Sequence, residues 1–277
     1  MSEKKIRLGL VGKDVSKSDS GTIHTFILKE LGYQVEYESI SATPEEFDHV
    51  IRYFMGDFDG FNITIPYKRD VMEYLNEIVG DAVSFGAVNT VVTSTATGYN
   101  TDGLGFMQML KLFGVEVVGK KVLILGAGGA GRSSAAVLKE AGAIVSMYQR
   151  TRSELLETCE QLGVTAEDQP ERGGYDIVIN STGVGMHKTV GVSPVTKRAF
   201  DGASVAVDLI YKPKVSEFLR IANECGLKTV SGGAMLFLQA YYADCYFLKK
   251  TPCEAEAEEL YKKALAQRLV DFPEISM

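Results

Sequence analysis

The stretch Lys121-Val-Leu-Ile-Leu125 followed by Gly126-Ala-Gly-Gly-Ala-Gly131 decides the fold. After Lys121, the four residues 122–125 are a short apolar run of the kind that forms a buried strand. The run enters a G-x-G-x-x-G pattern directly, with Gly126, Gly128 and Gly131 at the glycine positions and Ala127, Gly129 and Ala130 between them. Helix-forming residues follow from Arg132 to Ala141. Strand, glycine loop and helix in that order predict the opening of a doubly wound α/β domain that binds a dinucleotide. The first glycine allows the tight turn and the second lets the backbone approach a pyrophosphate. The third lets helix and strand pack closely, and the helix N-terminus faces the anion.

The kind of dinucleotide depends on the end of the next strand, read at Ile144–Tyr148. A chain that holds an unmodified ribose usually places an acid there. Here the positions read Gln149-Arg150-Thr151-Arg152, with no acid before Glu154. Two guanidiniums and a hydroxyl suit a 2′-phosphate. NADP is therefore expected, with NAD kept as an alternative because Glu154 adds negative charge.

Outward from this centre, strands are expected at 176–180, 204–209 and 228–230, and a helix from about Asp102 with Phe106, Met109, Leu110 and Phe113 on one face. The stretch from Ala234 to Leu269 reads as helical. Before residue 102 the alternation repeats: Ile6 to Val11 as a strand, a helix carrying Ile23, Phe26, Ile27 and Leu31, and Val35 to Ile40 as a strand. Thr43-Pro44-Glu45-Glu46 reads as a capping box with proline at N1, ahead of the stripe Phe47, Val50, Ile51 and Phe54. Phe58 to Ile65 and Ala87 to Thr93 read as strands, with a helix through Val71, Met72 and Leu75 between them. The whole is an α/β protein of two domains, an open α/β domain and a doubly wound one.

Composition narrows the partners. The 277 residues carry 29 Lys+Arg against 36 Asp+Glu, a net charge of −7, which disfavours nucleic acid and anionic membrane surfaces. Hydrophobic content of 45% is that of a globular chain. No apolar run reaches the length of a membrane span, since Gln239 and Asp244 interrupt the longest. Cys159, Cys225, Cys245 and Cys253 lack metal-site spacing and read as reduced thiols of a cytoplasmic protein, with no metal expected.

Polar side chains gather at strand ends and helix starts of the first domain. Ser18 and Ser20 precede a helix, Asn62 and Thr64 share one strand face, Lys68 follows Pro66, Asn89-Thr90 interrupts an apolar strand, and Asn100-Thr101-Asp102-Gly103 opens a helix. Singly, each could be a cap or a solvated side chain. Two amides inside apolar strands make that reading uncomfortable for the set.

With these segments the chain resembles the shikimate dehydrogenase family over essentially its whole length. The resemblance is carried by Ser18-Asp-Ser20 with Ile23-His24, Asn62-Ile-Thr64-Ile-Pro66-Tyr-Lys68, Gly86-Ala-Val-Asn89-Thr90 and Asn100-Thr101-Asp102-Gly103. It continues through the glycine loop, Asn180-Ser-Thr182-Gly-Val-Gly185-Met186, Asp208-Leu-Ile-Tyr211-Lys-Pro213 and Gly233-Ala-Met235-Leu-Phe-Leu-Gln239-Ala240. It implies NADP-linked interconversion of 3-dehydroshikimate and shikimate, toward aromatic amino acids, with the active site in an interdomain cleft.

By that resemblance Lys68 and Asp102 are the catalytic pair, and Ser18, Ser20 and Tyr211 hold the substrate carboxylate. Asn62, Thr64, Asn89 and Gln239 read ring hydroxyls. Thr182, Gly233 and Met235 join the glycine loop and residues 149–152 around the cofactor. Residues 1–101 with 239–277 would form a discontinuous substrate domain, and 102–238 the dinucleotide domain. The chain departs from the family pattern at Asp14, Lys17, Gly21, Gln149 and Asp244. His24 is expected to be a packing residue, and the protein to be a monomer or homodimer. The alternatives are a quinate or mixed quinate/shikimate dehydrogenase using NAD, and a non-catalytic sensor of dinucleotide or ligand.

Overall fold

A computed structural model describes residues 4–269; residues 1–3 and 270–277, the latter part of the segment assigned to the substrate domain, lie outside the described residues. In chain order the first elements are β1 (Lys4–Gly12), α1 (Ser20–Glu30), β2 (Tyr33–Ser41), α2 (Pro44–Asp57), β3 (Gly60–Ile63), β4 (Glu77–Ile78), α3 (Asp81–Phe85), β5 (Thr90–Val92) and β6 (Thr97–Tyr99). They are followed by α4 (Asp102–Leu112), β7 (Lys121–Leu125), α5 (Gly129–Glu140), β8 (Ile144–Tyr148), α6 (Arg152–Leu162), β9 (Thr165–Ala166) and β10 (Ile177–Asn180). The last are β11 (Val205–Asp208), α7 (Glu217–Glu224), β12 (Lys228–Ser231), α8 (Gly233–Phe247) and α9 (Glu254–Ala266). Contacts divide the chain into two compact units. Of the described residues, one comprises those up to Gly105 with Phe237–Leu269 and the other Phe106–Leu236, so the chain passes between units inside α4 and inside α8.

The first unit contains a sheet of order β2-β1-β3-β5-β6-β4. β1 runs parallel to β2 and β3, and β5 is antiparallel to β3 and β6. The capping box forms at the start of α2, where the Glu46 carboxylate accepts the Thr43 N–H at 2.9 Å. Behind it Phe47, Val50, Ile51 and Phe54 are buried against Val11, Phe61, Ile63 and Val91. Each such burial is worth roughly 1.5–3 kcal/mol, which anchors α2 to one sheet face. On another core face Leu8, Leu28 and Val92 pack with Ala243 and Phe247 of α8, so this late helix helps to complete the unit.

Among the differences from the sequence reading, three have a local cause. The strand expected over 58–65 is assigned only at Gly60–Ile63, although the Thr64 N–H still bonds Val11 O; beyond it Pro66 has no N–H to continue the ladder. The helix expected through 71–75 is a single 3₁₀ turn, Asp70–Tyr74, and Leu75 is already extended. The helical stretch 234–269 breaks between α8 and α9, where Lys249 takes φ +52 and Pro252 follows.

The second unit contains a fully parallel sheet of order β12-β11-β10-β7-β8-β9. Read from its other edge, this is the one-directional, doubly wound arrangement of the dinucleotide fold, and the strand order reverses between β7 and β10. Ligands of such sheets bind outside the strands' carboxyl ends at that reversal. Here those ends are Leu125 and Asn180, leading into Gly126 and Ser181. The Ser181 hydroxyl donates to Leu125 O at 2.8 Å and to Gly126 O at 3.1 Å, tying the two strand ends together.

Candidate active site

In the first unit one amide organises the polar cluster. Asn89, buried just before β5, receives the Thr101 N–H at 3.0 Å and the Thr90 hydroxyl at 2.9 Å on its Oδ1. Its Nδ2 donates to Thr101 Oγ1 at 3.1 Å and to Asp102 Oδ1 at 2.9 Å. The other oxygen of that carboxylate, Oδ2, accepts from Lys68 Nζ at 2.5 Å. Asp102 is also placed by its backbone, whose N–H bonds Asn100 Oδ1 at 3.0 Å, while Asn100 Nδ2 donates to Ala87 O at 2.8 Å. Lys68 and Asp102 keep 22% and 14% of their side-chain surface exposed, enough for a small molecule to touch them.

Asn62 commits its amide to Asn89 O and Thr90 Oγ1, each at 3.2 Å. Its Oδ1 is left buried with no hydrogen-bond partner among the described residues. A buried acceptor without a donor is costly, by about 1–3 kcal/mol, so the atom has the chemistry of a hydroxyl receptor. Thr64 lies two residues on, half-buried. Gln239 reaches the cluster from α8, its Oε1 accepting the Thr101 hydroxyl at 3.2 Å. Gly105 permits that approach: a Cβ there would stand 2.6 Å from Gln239 N.

Ser18 is exposed and Ser20, at the start of α1, is buried. The Ser18 hydroxyl accepts the Ser20 N–H at 3.2 Å, and Ser20 Oγ lies 2.9 Å from the Tyr37 hydroxyl. In the same unit His24 Nδ1 lies 2.6 Å from Asp244 Oδ1 with both side chains fully buried. His24 stacks on Tyr37 at 5.4 Å between ring centroids. Burial pushes the Asp244 carboxyl up to about 6, against the opposing pull of His24. The sequence reading takes His24 as packing and Asp244 as a departure; the structure shows that they are partners.

In the second unit the loop fits a pyrophosphate. Gly126 takes φ +106, a conformation that favours glycine. A Cβ on Gly131 would meet Gly126 O at 2.3 Å, whereas one on Gly128 or Gly129 would have no described atom within 4 Å apart from its chain neighbours and the helix's own backbone. That open space lies at the N-terminus of α5, whose first turn has neither a side-chain cap nor an acid. Gln149 Oε1 accepts the Ala127 N–H at 2.8 Å, and its Nε2 donates to Glu154, so one side chain braces the loop and restrains that acid.

Arg150 is exposed, and Thr151 is the N-cap of α6 with no side-chain cap bond. Arg152 is half-exposed and ion-paired with Asp168 at the surface, a weak pairing that leaves its guanidinium within reach of a second anion. Thr182 donates its N–H (3.0 Å) and hydroxyl (2.7 Å) to Asn180 Oδ1. Gly233 and Met235 open α8, Met235 being buried, and Tyr211 is half-buried after β11. Signals for Thr101, Asn100 and Asn180 are present as motif members, but no spacing argument gives them a role.

A parallel dinucleotide sheet and a lysine–carboxylate pair bedded in amides and hydroxyls are the parts of a nucleotide-dependent oxidoreductase of polar small molecules. Comparison with known proteins names the group. Residues 10–91 match the shikimate dehydrogenase substrate binding domain. Shikimate dehydrogenase (NADP(+)) of Caldanaerobacter subterraneus subsp. tengcongensis is 35% identical over 250 residues, covering 85% of this chain and 89% of that one. The crystal structure of shikimate 5-dehydrogenase from Thermus thermophilus in complex with NADP(H) and shikimate aligns with TM-score 0.86 at 33% identity, covering 94% of this chain and 99% of that one. A chorismate mutase/shikimate 5-dehydrogenase fusion protein from Clostridium acetobutylicum aligns with TM-score 0.88 at 32% identity, over 96% and 99%. The chain belongs to the shikimate dehydrogenase family. Among the described residues no helix is long and apolar enough to cross a membrane, and no cluster of three metal-ligating side chains occurs.

Proposed function

We propose that this protein catalyses the reversible NADP-linked oxidation of shikimate to 3-dehydroshikimate in the cytoplasm, a step toward aromatic amino acids. The observation that carries the reading is the Lys68 Nζ–Asp102 Oδ2 pair at 2.5 Å, held by Asn89. As hydride leaves the carbinol carbon, the hydroxyl on that carbon must lose a proton, and the reverse reaction returns one. Lys68 relays that proton with Asp102 and stabilises the developing alkoxide charge.

Ser18, Ser20 and Tyr211 hold the substrate carboxylate by their hydroxyls. The Asn62 Oδ1, which no described protein group satisfies, accepts from a ring hydroxyl. Thr64, Asn89 and Gln239 read the remaining hydroxyls. NADP supplies the nicotinamide carbon that takes the hydride. The loop Gly126–Gly131 and the first turn of α5 receive its pyrophosphate, with Thr182, Gly233 and Met235 as further contacts. Arg150 and Thr151, at the start of α6, receive the 2′-phosphate, which Arg152 joins if it releases Asp168. Support comes from the open space over Gly128 and the exposed Arg150 side chain.

The deciding experiment assays shikimate and quinate, each with NADP and NAD. Shikimate with NADP is expected to give the highest kcat/KM. No NADP reduction between pH 7 and 10 would overturn the reading, and shikimate binding without turnover would mark a sensor.

A further inference from the structure

Asp208, the last residue of β11, is fully buried and has no role in the chemistry above. Its partners are three neutral donors: Asn180 Nδ2 at 3.0 Å, the Ile210 N–H at 3.0 Å, and the Ser216 hydroxyl. A carboxylate removed from water without a cation is costly, and in return its charge-assisted hydrogen bonds hold their donors firmly. The donors stand at the roots of two loops. Asn180 ends β10 and stands directly opposite Asp208 in the sheet register. Its Oδ1 accepts the Thr182 N–H and hydroxyl, and Thr182 Oγ1 in turn accepts the Val184 N–H at 3.1 Å. Ile210 and Ser216 flank Tyr211 in the other loop, and Ser216 also caps α7 by accepting the Leu219 N–H at 3.2 Å.

We infer that Asp208 is a positioning residue, which through Asn180 sets the Thr182 turn in the conformation that receives the dinucleotide. The inference rests on the NADP reading for its ligand but not for its geometry. One carboxylate oxygen fixes the Asn180 amide, and the amide's own oxygen then presents the Thr182 turn at the carboxyl edge of the sheet, beside the glycine loop. Truncating Asp208 frees Asn180 and with it the turn, leaving β11 in place.

The test compares Asp208→Ala, Asp208→Asn and Asn180→Ala with Val207→Ala, a buried neighbour on β11. In the ligand-free protein, hydrogen exchange at the Thr182 and Val184 amides is expected to speed up about tenfold in Asp208→Ala and Asn180→Ala, as befits loss of one anchoring hydrogen bond. It should change little in Asp208→Asn, which keeps an acceptor, or in Val207→Ala. The NADPH dissociation constant should rise by a similar factor in Asp208→Ala and not rise further in the double variant with Asn180→Ala. Equal exchange in Asp208→Ala and Val207→Ala would overturn the inference, as would additive effects of Asp208→Ala and Asn180→Ala. Tighter NADPH binding in both Asp208 variants would also overturn it, by showing that only the charge matters. Wild-type protein that binds no NADPH would instead sink the cofactor reading, while the exchange data still decide the role of Asp208.

Discussion

Lys68 and Asp102 are 34 positions apart in sequence, and Asn89, itself bonded to Thr101, holds the carboxylate that meets the amine. Proton handling of this kind contributes about 10²–10⁴-fold to rate, so Lys68→Ala should cut kcat by at least about 100-fold while KM moves only a few-fold; equal losses in both would argue for a mere binding role. The His24–Asp244 pair makes a different prediction. Removing one partner of a buried pair leaves the other uncompensated, at about 3–5 kcal/mol, whereas replacing both with apolar residues is often neutral. Asp244→Leu should therefore destabilise by about 3 kcal/mol in urea titration, and His24→Phe with Asp244→Leu should recover most of that loss. An additive double variant would show that the two side chains do not act as a pair.

At the scale of elements, the glycine loop separates folding from binding. Gly131 touches backbone, since a Cβ there would lie 2.3 Å from Gly126 O, so Gly131→Ala must shift α5 from β7. A loss of about 1–3 kcal/mol is expected, as for other overpacked sites, together with loss of NADPH binding. Gly128 has φ −73 and open space around it, so Gly128→Ala should keep its melting temperature yet bind NADPH far more weakly. Parallel loss of stability in both variants would mean that the space over Gly128 is not a ligand's. Gly105 is the counterpart in the other unit. Gly105→Ala pushes α8 away at Gln239, and should raise KM for shikimate with NADPH affinity unchanged.

For the whole molecule, each unit carries one buried carboxyl pushed up to about 6, Asp244 in the first and Asp208 in the second, both chiefly by burial. A raised carboxyl stabilises the fold most below its unfolded value of 3.8, and that contribution is lost as pH rises through about 6. Carboxyls whose values are lowered, such as Glu167 and Glu256, act in the opposite sense but only below their usual range. Between pH 5 and 7 Asp208 should therefore contribute a fall in melting temperature as pH rises, and Asp208→Asn should remove that part of the slope relative to wild type. Local pattern alone yields the α/β alternation, the capping box at Thr43, the glycine loop and the set of polar residues, because caps, periodicities and loop glycines act within a few positions. The 3₁₀ turn at Asp70–Tyr74 and the short β4 and β6 were not legible, since runs that brief carry no period. Which side chains meet was settled in space: Arg152 pairs with Asp168, Gln149 braces the loop, and His24 meets Asp244 across 220 positions. Hydrogen bonds and ion pairs are made in space by side chains from different elements, and nothing in local spacing records which of them will meet.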